Sequence, residues 1–475
     1  MAERYAWQAV IEALETEEVP LLFGIPGDPR FLYDALYDST RTKAVLVREE
    51  TSGVFMAIAF ARLTGKPTVC FGSPGPGVAN LIPGLMEASA ACAPVIALAS
   101  TASTRYEGLG AFQEVDQLAL VEPVTKWSTR VTYPEQVPWV MRRAFSLATS
   151  GKPGPVYVEI PADVALQRVE IPRYVPCPRP LRPASDPEAI EAAADLLAQA
   201  ERPLLVAGGG VILSGAQPEL KELAEMRGVP VVTTPSGRGS LPEDHSLALG
   251  LVGLYFSKVG EKAYADADLL ITIGSRNEEF QTGRWQYFPP GARFIQIDID
   301  SFEIGRNWVP DVAVVSDAKL ALRELVAALK RRGPAQPWDK AWCEELSRQK
   351  MAYAAEVEVD CDTDAVPIKS KRVVKEVNRV FGGDAILVNE NGGQDLWSYY
   401  SPYYQVTTGG HCVPPGEQTC MGIGVAGAIG AKLAMPEKRV VCVTGDGAFQ
   451  MFMKELPTAV QYAAPVTWIV LNTDS

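Results

Sequence analysis

The sequence predicts an α/β protein of three doubly wound parallel-sheet domains, and three observations carry that prediction. Short, mostly apolar runs recur along the 475 residues. Stretches of amphipathic helical spacing alternate with them. Glycine (40) and proline (37) punctuate the junctions. Continuous apolar runs suit strands buried on both faces, and their alternation with helices implies parallel pairing.

The predicted strands, in order, are Leu21-Leu22-Phe23, Thr68 to Phe71, Val95 to Leu98, Leu204 to Val206, Leu269 to Ile273, Phe294 to Ile297, Val440 to Val443 and Thr467 to Leu471. Two linkers divide them. Residues 168–187 hold Pro172, Pro176, Pro178, Pro180, Pro183 and Pro187, too many for a helix or a central strand. Residues 331–368 are expected to contain one short polar helix, with Glu356 to Asp364 as an exposed acidic stretch. The domains are therefore 1–167, 188–330 and 369–475.

Composition narrows the function. A net charge of −13 argues against a protein that coats nucleic acid or an anionic membrane. No apolar run reaches the roughly 18 residues that span a bilayer. The first residues lack the order of a signal peptide. Eight scattered cysteines with no Cys-x-x-Cys speak for a reducing cytoplasm and against a disulfide framework or a structural zinc site. The two histidines, His245 and His411, cannot make a three-histidine metal centre in one chain.

The most informative segment is near the end. Gly430 and Pro436 precede a strand that runs into Gly445-Asp446-Gly447-Ala448, and a second strand ends at Asn472-Thr473-Asp474, with 24 residues between Gly447 and Asn472. Glycines let the backbone turn sharply and approach a ligand. A carboxylate and a carboxamide at the ends of neighbouring parallel strands can share a hard cation, and Mg²⁺ completes its shell from phosphate and water. Ligands in such sheets bind outside the carboxyl ends of the strands.

This segment resembles the diphosphate and magnesium motif of the thiamine-diphosphate enzymes, the superfamily of acetolactate synthase, pyruvate oxidase and the 2-oxo acid decarboxylases. The resemblance implies a pyrimidine-binding, a middle and a diphosphate-binding domain. It makes Asp446 and Asn472 side-chain metal ligands, with the Asp474 carbonyl as a third, and places Gly445, Gly447 and Ala448 at the cofactor. Val45 to Glu50 resembles the strand ending in the glutamate that activates the cofactor through its pyrimidine ring. The resemblance makes Glu50 that residue, expected to point inward, with Glu49 pointing out, since neighbours on a strand face opposite ways.

Further segments extend the resemblance. Gly72 to Asn80, with Pro74, Gly75 and Asn80, is similar to the family's loop beside the pyrimidine, and Gly27 lies in its first loop. Phe112-Gln113-Glu114 resembles the acetolactate synthase branch and implies that Gln113 faces the reaction centre, while Lys126 is structural. Gly392, Gly393 and Gln394 match the segment that holds the diphosphate. Met421 matches the apolar residue beneath the bent cofactor. Residues 411–420 depart from the family and are expected to lie over the thiazolium, which makes His411 a candidate proton donor.

The middle domain is less definite. Val206 to Gly210 is a glycine-rich strand-to-helix turn. Gly274 to Gly283 resembles a flavin-binding segment and keeps Arg276, but Phe280 stands where the family carries an arginine for the acceptor carboxylate. Thiamine diphosphate and Mg²⁺ are the expected cofactors, with FAD as a secondary candidate.

The expected activity is cleavage or formation of a C–C bond next to a carbonyl, by decarboxylation of a 2-oxo acid with or without carboligation. A flavin-linked oxidase, a 2-hydroxyacyl-CoA lyase or oxalyl-CoA-type decarboxylase, and a non-catalytic binding homologue are the alternatives. The resemblance implies a homodimer or homotetramer with active sites between subunits. The sequence ends at Ser475, where the resembled enzymes continue into further helices and a lid, so either it is truncated there or the lid is absent.

Overall fold

A computed structural model describes residues 3–27, 30–178, 182–333, 339–393 and 396–473. The chain forms two compact units, one of Met1–Leu181 with Pro415–Ser475 and one of Arg182–Pro414. The segment expected as a third domain, 369–475, is thus shared between them.

The first unit is built on a six-stranded sheet in the order Lys43–Leu46, Leu21–Gly24, Thr68–Gly72, Val95–Thr101, Val156–Pro161, Trp127–Arg130. Every neighbouring pair is parallel. The two strands Val95–Thr101 and Val156–Pro161 are buried at every position, as continuous apolar runs require. Prolines after residue 170 end a two-residue strand, Val169–Glu170, that pairs antiparallel with Glu3–Arg4.

Helix Glu50–Thr64 is buried along its whole length from Glu50 to Ala61. A helix without a polar face belongs in a core, and here it packs most extensively on helix Ile423–Ala434, of the same unit. The approach is close because the facing residues are small. A Cβ at Gly430 would collide with the Met56 carbonyl, and one at Gly427 would lie 3.5 Å from the Phe55 carbonyl oxygen. Gly65, at φ +66°, ends the first helix in the left-handed conformation. In the same unit, strand Val440–Gly445 runs parallel to Thr467–Leu471, with Gly445 opposite Leu471.

The second unit holds a six-stranded parallel sheet in the order Ala248–Leu251, Val231–Thr233, Pro203–Ala207, Leu269–Ile273, Arg293–Asp298, Val312–Val315. Its interior also contains Arg238, wholly buried, which grips Glu243 through two bonds of 2.8 and 2.9 Å and donates to the carbonyls of Ser398 and Tyr404. Glu243 in turn accepts the Val406 N–H at 2.8 Å. This network ties residues 398–406 to the second unit.

The linker expectation needs correction at 331–368. Lys340–Cys361 is one helix of 22 residues that takes in most of the supposed acidic stretch. Trp342, Leu346, Val357 and Cys361 are buried, with Tyr353 packed beside them in part. Their spacing of about one turn makes a narrow stripe, hidden in the sequence by the charged residues around it. Lys350 lies on that stripe and donates to the carbonyls of Glu243 and His245 at 3.1 and 2.6 Å.

Candidate functional site

Strand Lys43–Leu46 ends before the two glutamates, so Glu50 is the first residue of a helix and not the last of a strand. The expected division of the pair still occurs, by a different geometry. Glu49 is the extended N-cap (φ −156°, ψ 142°) and forms an ion pair with Lys454. Glu50 turns inward, 6% exposed, and its Oε2 accepts from Asn80 Nδ2 at 3.1 Å. Thr51 Oγ1 donates to the Asn80 carbonyl and holds that residue in place.

The glycine loop lies against this carboxyl group. A Cβ at Gly77 would sit 2.9 Å from Glu50 Oε1, so glycine leaves the space before that oxygen clear. Gly75 touches the backbone of Gln113, whose carbonyl oxygen would be 2.7 Å from a Cβ there. Gln113 itself has φ +59°, a conformation rare outside glycine. Pro74 is buried beside Gly75, and a side chain at Gly27 would run into Ser73. Glu50, Gly27, Pro74, Gly75, Asn80 and Gln113 therefore gather at one end of the sheet.

A second group gathers at the carboxyl ends of strands Val440–Gly445 and Thr467–Leu471. Their register puts Asp446 beside Asn472 and Thr473, and Thr473 Oγ1 lies 3.5 Å from Asp446 Oδ2. Asp446 is also the first residue of helix Asp446–Phe452, with Gly447 exposed and Ala448 buried behind it. Met421 is 41% exposed, and its Cε is 4.0 Å from where a Gly447 Cβ would be. It is not a plain core methionine. One carboxylate and one carboxamide side by side suit a hard cation. Asp474 lies outside the described residues.

In the second unit, strand Ile386–Asn389 leads into Glu390-Asn391-Gly392-Gly393. Among the described residues, a Cβ at Gly393 would meet nothing within 4 Å. Gln394 is outside the described residues. The expectation for His411 is corrected. Residues His411–Val413 form a strand rather than a loop, and His411 pairs with Ile386, at the amino end of Ile386–Asn389. The turn at 390–393 follows the opposite, carboxyl end, the end at which ligands bind in such sheets. In the same unit Gly208 and Gly210 pack against the Gly274 backbone, which accounts for these glycines by backbone contact alone. Arg276 pairs with Glu278 at 2.9 Å, and the Phe280 ring lies against Tyr255. Lys126 is structural: its ammonium donates to the carbonyls of Leu147, Ser150 and Lys152 at the end of helix Val137–Thr149.

Two buried carboxylates escaped the sequence reading. Glu87 accepts the Cys420 N–H at 3.0 Å and also that of Gly416. Burial pushes its pKa up from the ordinary carboxylate value. Glu159 is wholly buried, with Arg130 Nε at 2.6 Å and Gln117 Nε2 at 2.8 Å. No local motif marks either residue.

Comparison with known proteins adds the following. Residues 5–120 match the N-terminal TPP binding domain of thiamine pyrophosphate enzymes, residues 190–325 their central domain, and residues 395–475 their C-terminal TPP binding domain. A probable acetolactate synthase large subunit of Methanocaldococcus jannaschii is 40% identical over 480 residues, covering 98% of this chain and 79% of that protein. One from Methanococcus aeolicus is 37% identical over 487 residues, covering 98% and 80%. An acetolactate synthase of Mycobacterium bovis is 35% identical over 481 residues, covering 98% and 75%.

Proposed function

This chain belongs to the thiamine-diphosphate-dependent enzymes of the acetolactate synthase large-subunit family, and on that premise we propose that it decarboxylates a 2-oxo acid and joins the remaining acyl carbon to a second carbonyl compound, giving a 2-hydroxyketone. The observation that carries the reading is the buried Glu50 carboxyl, fixed by Asn80 on one oxygen and faced by Gly77 on the other.

Thiamine diphosphate, bound with Mg²⁺, supplies the nucleophilic carbon and the electron sink for C–C cleavage. The residues present suit that group. Asp446 and Asn472 would hold the cation, with the Asp474 carbonyl as a third ligand. The amides of Gly392 and Gly393, with Gln394, would hold the diphosphate. Met421 would support the rings from below. Glu50 would carry and exchange a proton on Oε1, because Oε2 is already committed to Asn80. Gln113 would face the substrate from beside Gly75. His411 is given no catalytic part.

Decarboxylation that ends in protonation, with release of an aldehyde, is the second reading. Phe280 favours it, because its ring packs with Tyr255 where the family keeps a carboxylate-binding arginine. Incubation with thiamine diphosphate, Mg²⁺ and a panel of 2-oxo acids, read by mass spectrometry, separates the two by their products. If no acid in the panel releases CO₂, both readings fail.

No helix among the described residues is long and apolar enough to cross a membrane. We place the enzyme in the cytoplasm, on its scattered cysteines, and expect a homodimer or homotetramer with shared active sites. The assembly is supported by Leu109 and Phe112, 77% and 81% exposed on the loop that carries Gln113. Sedimentation of the wild type and of Phe112→Glu tests it, and an unchanged monomer in both would refute it.

A further inference from the structure

Gly75 caps helix Pro76–Ala90 at φ +62°, ψ −104°, a conformation essentially reserved for glycine. A backbone so bent needs something to hold it. Its N–H donates to Gln117 Oε1 at 2.8 Å, and Gln117 is wholly buried.

The Gln117 amide has one permitted orientation. Its Nε2 lies 2.8 Å from Glu159 Oε2, 2.9 Å from the Tyr157 hydroxyl and 3.2 Å from the Ser100 carbonyl. Glu159 is buried and already takes Arg130 Nε at 2.6 Å and the Tyr157 hydroxyl at 2.9 Å. A carboxylate only accepts, so the NH₂ end of Gln117 must face it and the oxygen must face Gly75. Turning the amide over would set oxygen against oxygen and N–H against N–H.

The far side of the same loop meets Glu50. Gly77 leaves space for Oε1, and Asn80 holds Oε2 from one turn along the helix that Gly75 starts. We propose that Gln117 is a positioning residue for Glu50: anchored on buried Glu159, it fixes the Gly75 peptide and, with it, the helical turn whose Gly77 and Asn80 flank the Glu50 carboxyl. The partners are well separated in sequence, so the anchoring belongs to the fold and not to a local motif. The inference rests on the reading of Glu50 as the acid that activates the cofactor, but the anchoring can be measured without cofactor.

Three variants test it: Gln117→Leu, Gln117→Glu, and Gln117→Glu combined with Glu159→Gln. The double variant exchanges acid and amide, so Gly75 can again donate to residue 117, residue 159 can donate to it, and Arg130 still has an acceptor. In the cofactor-free protein, hydrogen exchange over 72–80 should accelerate about tenfold or more in each single variant and recover in the double. Exchange over 137–149, distant along the chain, should stay unchanged. Calorimetric affinity for thiamine diphosphate with Mg²⁺ should fall about tenfold in the single variants and return in the double. Unchanged exchange over 72–80, equal acceleration over 137–149, or no recovery in the double variant would overturn the proposal. If the exchange results hold while wild-type protein turns over no 2-oxo acid, the anchoring by Gln117 stands and the reading of Glu50 falls.

Discussion

The Glu87 carboxylate, buried in helix Pro76–Ala90, accepts the Cys420 amide at 3.0 Å and the Gly416 amide through its other oxygen. It thereby clamps the five residues that lead to Met421. Gly416 suits the clamp because a Cβ there would lie 2.6 Å from the Ala91 nitrogen. The carboxylate is held at a cost, since burial raises its pKa above 4.5 against the lowering pull of those amides.

A stability test follows from the sign of that shift. A carboxyl whose folded pKa is raised contributes most below its unfolded pKa, and that contribution is lost as pH rises through the folded value. The stability difference between wild type and Glu87→Gln should therefore be largest below the unfolded carboxyl value and shrink as pH rises above it. Urea unfolding on both sides of that value checks it. A difference that grows with pH would show that the amides, and not burial, decide the charge state.

Glu50 yields the second prediction. Glu50→Gln keeps the shape and the contact with Asn80 but removes the exchangeable proton from the carboxyl group. Turnover should fall about 10²- to 10⁴-fold. Cofactor affinity, measured by calorimetry, should stay within a few-fold. Near-normal turnover in this variant would exclude Glu50 as the activating acid.

These residues also show what was legible beforehand. Glu50, the glycine loop, and Asp446 with Asn472 could be read because each lies in a short segment whose chemistry is local: a turn, a strand end, a fixed spacing. The eight strands named from the sequence were legible for the same reason, as apolar runs bounded by glycine and proline, whereas Val156–Pro161, with Glu159 inside it, was not. Gln117 and Glu87 were not, because their partners lie 42 and 333 residues away in sequence for Gly75 and Cys420. The expected helix in 331–368 proves longer than its sequence suggests, because four buried positions in the 22 residues of Lys340–Cys361 give almost no periodic signal. The place of His411 beside Ile386 was not legible, because sequence does not say at which end of a strand a residue enters the sheet.

The metal pair gives the third prediction. Asp446 and Asn472 end adjacent parallel strands, and in the family reading they share one cation. Asp446→Asn removes the only charge of the pair. Affinity for Mg²⁺ in the presence of thiamine diphosphate should drop at least about tenfold, which is about 1.4 kcal/mol. Asn472→Ala should weaken it in the same direction. Chelation of wild-type protein should abolish turnover, and added Mg²⁺ should restore it. Activity that survives exhaustive chelation would argue against this site.

The last prediction concerns the second unit, where Arg238 and Glu243 are both almost fully buried and bonded through two contacts. Arg238 also holds the carbonyls of Ser398 and Tyr404, so it fastens the segment that follows the turn at Gly392 and Gly393. Ser398 in turn receives a bond of 2.6 Å from Asn389, the last residue of the strand before that turn. Arg238→Met would leave Glu243 as a buried charge without its partner, at a cost of about 3–5 kcal/mol. Replacing both, Arg238→Met with Glu243→Leu, removes the stranded charge and should recover part of that loss, though the carbonyls of Ser398 and Tyr404 lose the donors that Arg238 supplied. Thermal unfolding of the three proteins measures the difference. If the pair serves the diphosphate turn, the double variant should still bind thiamine diphosphate more weakly than wild type even where its stability has returned, because the segment behind Gly392 has lost its anchor.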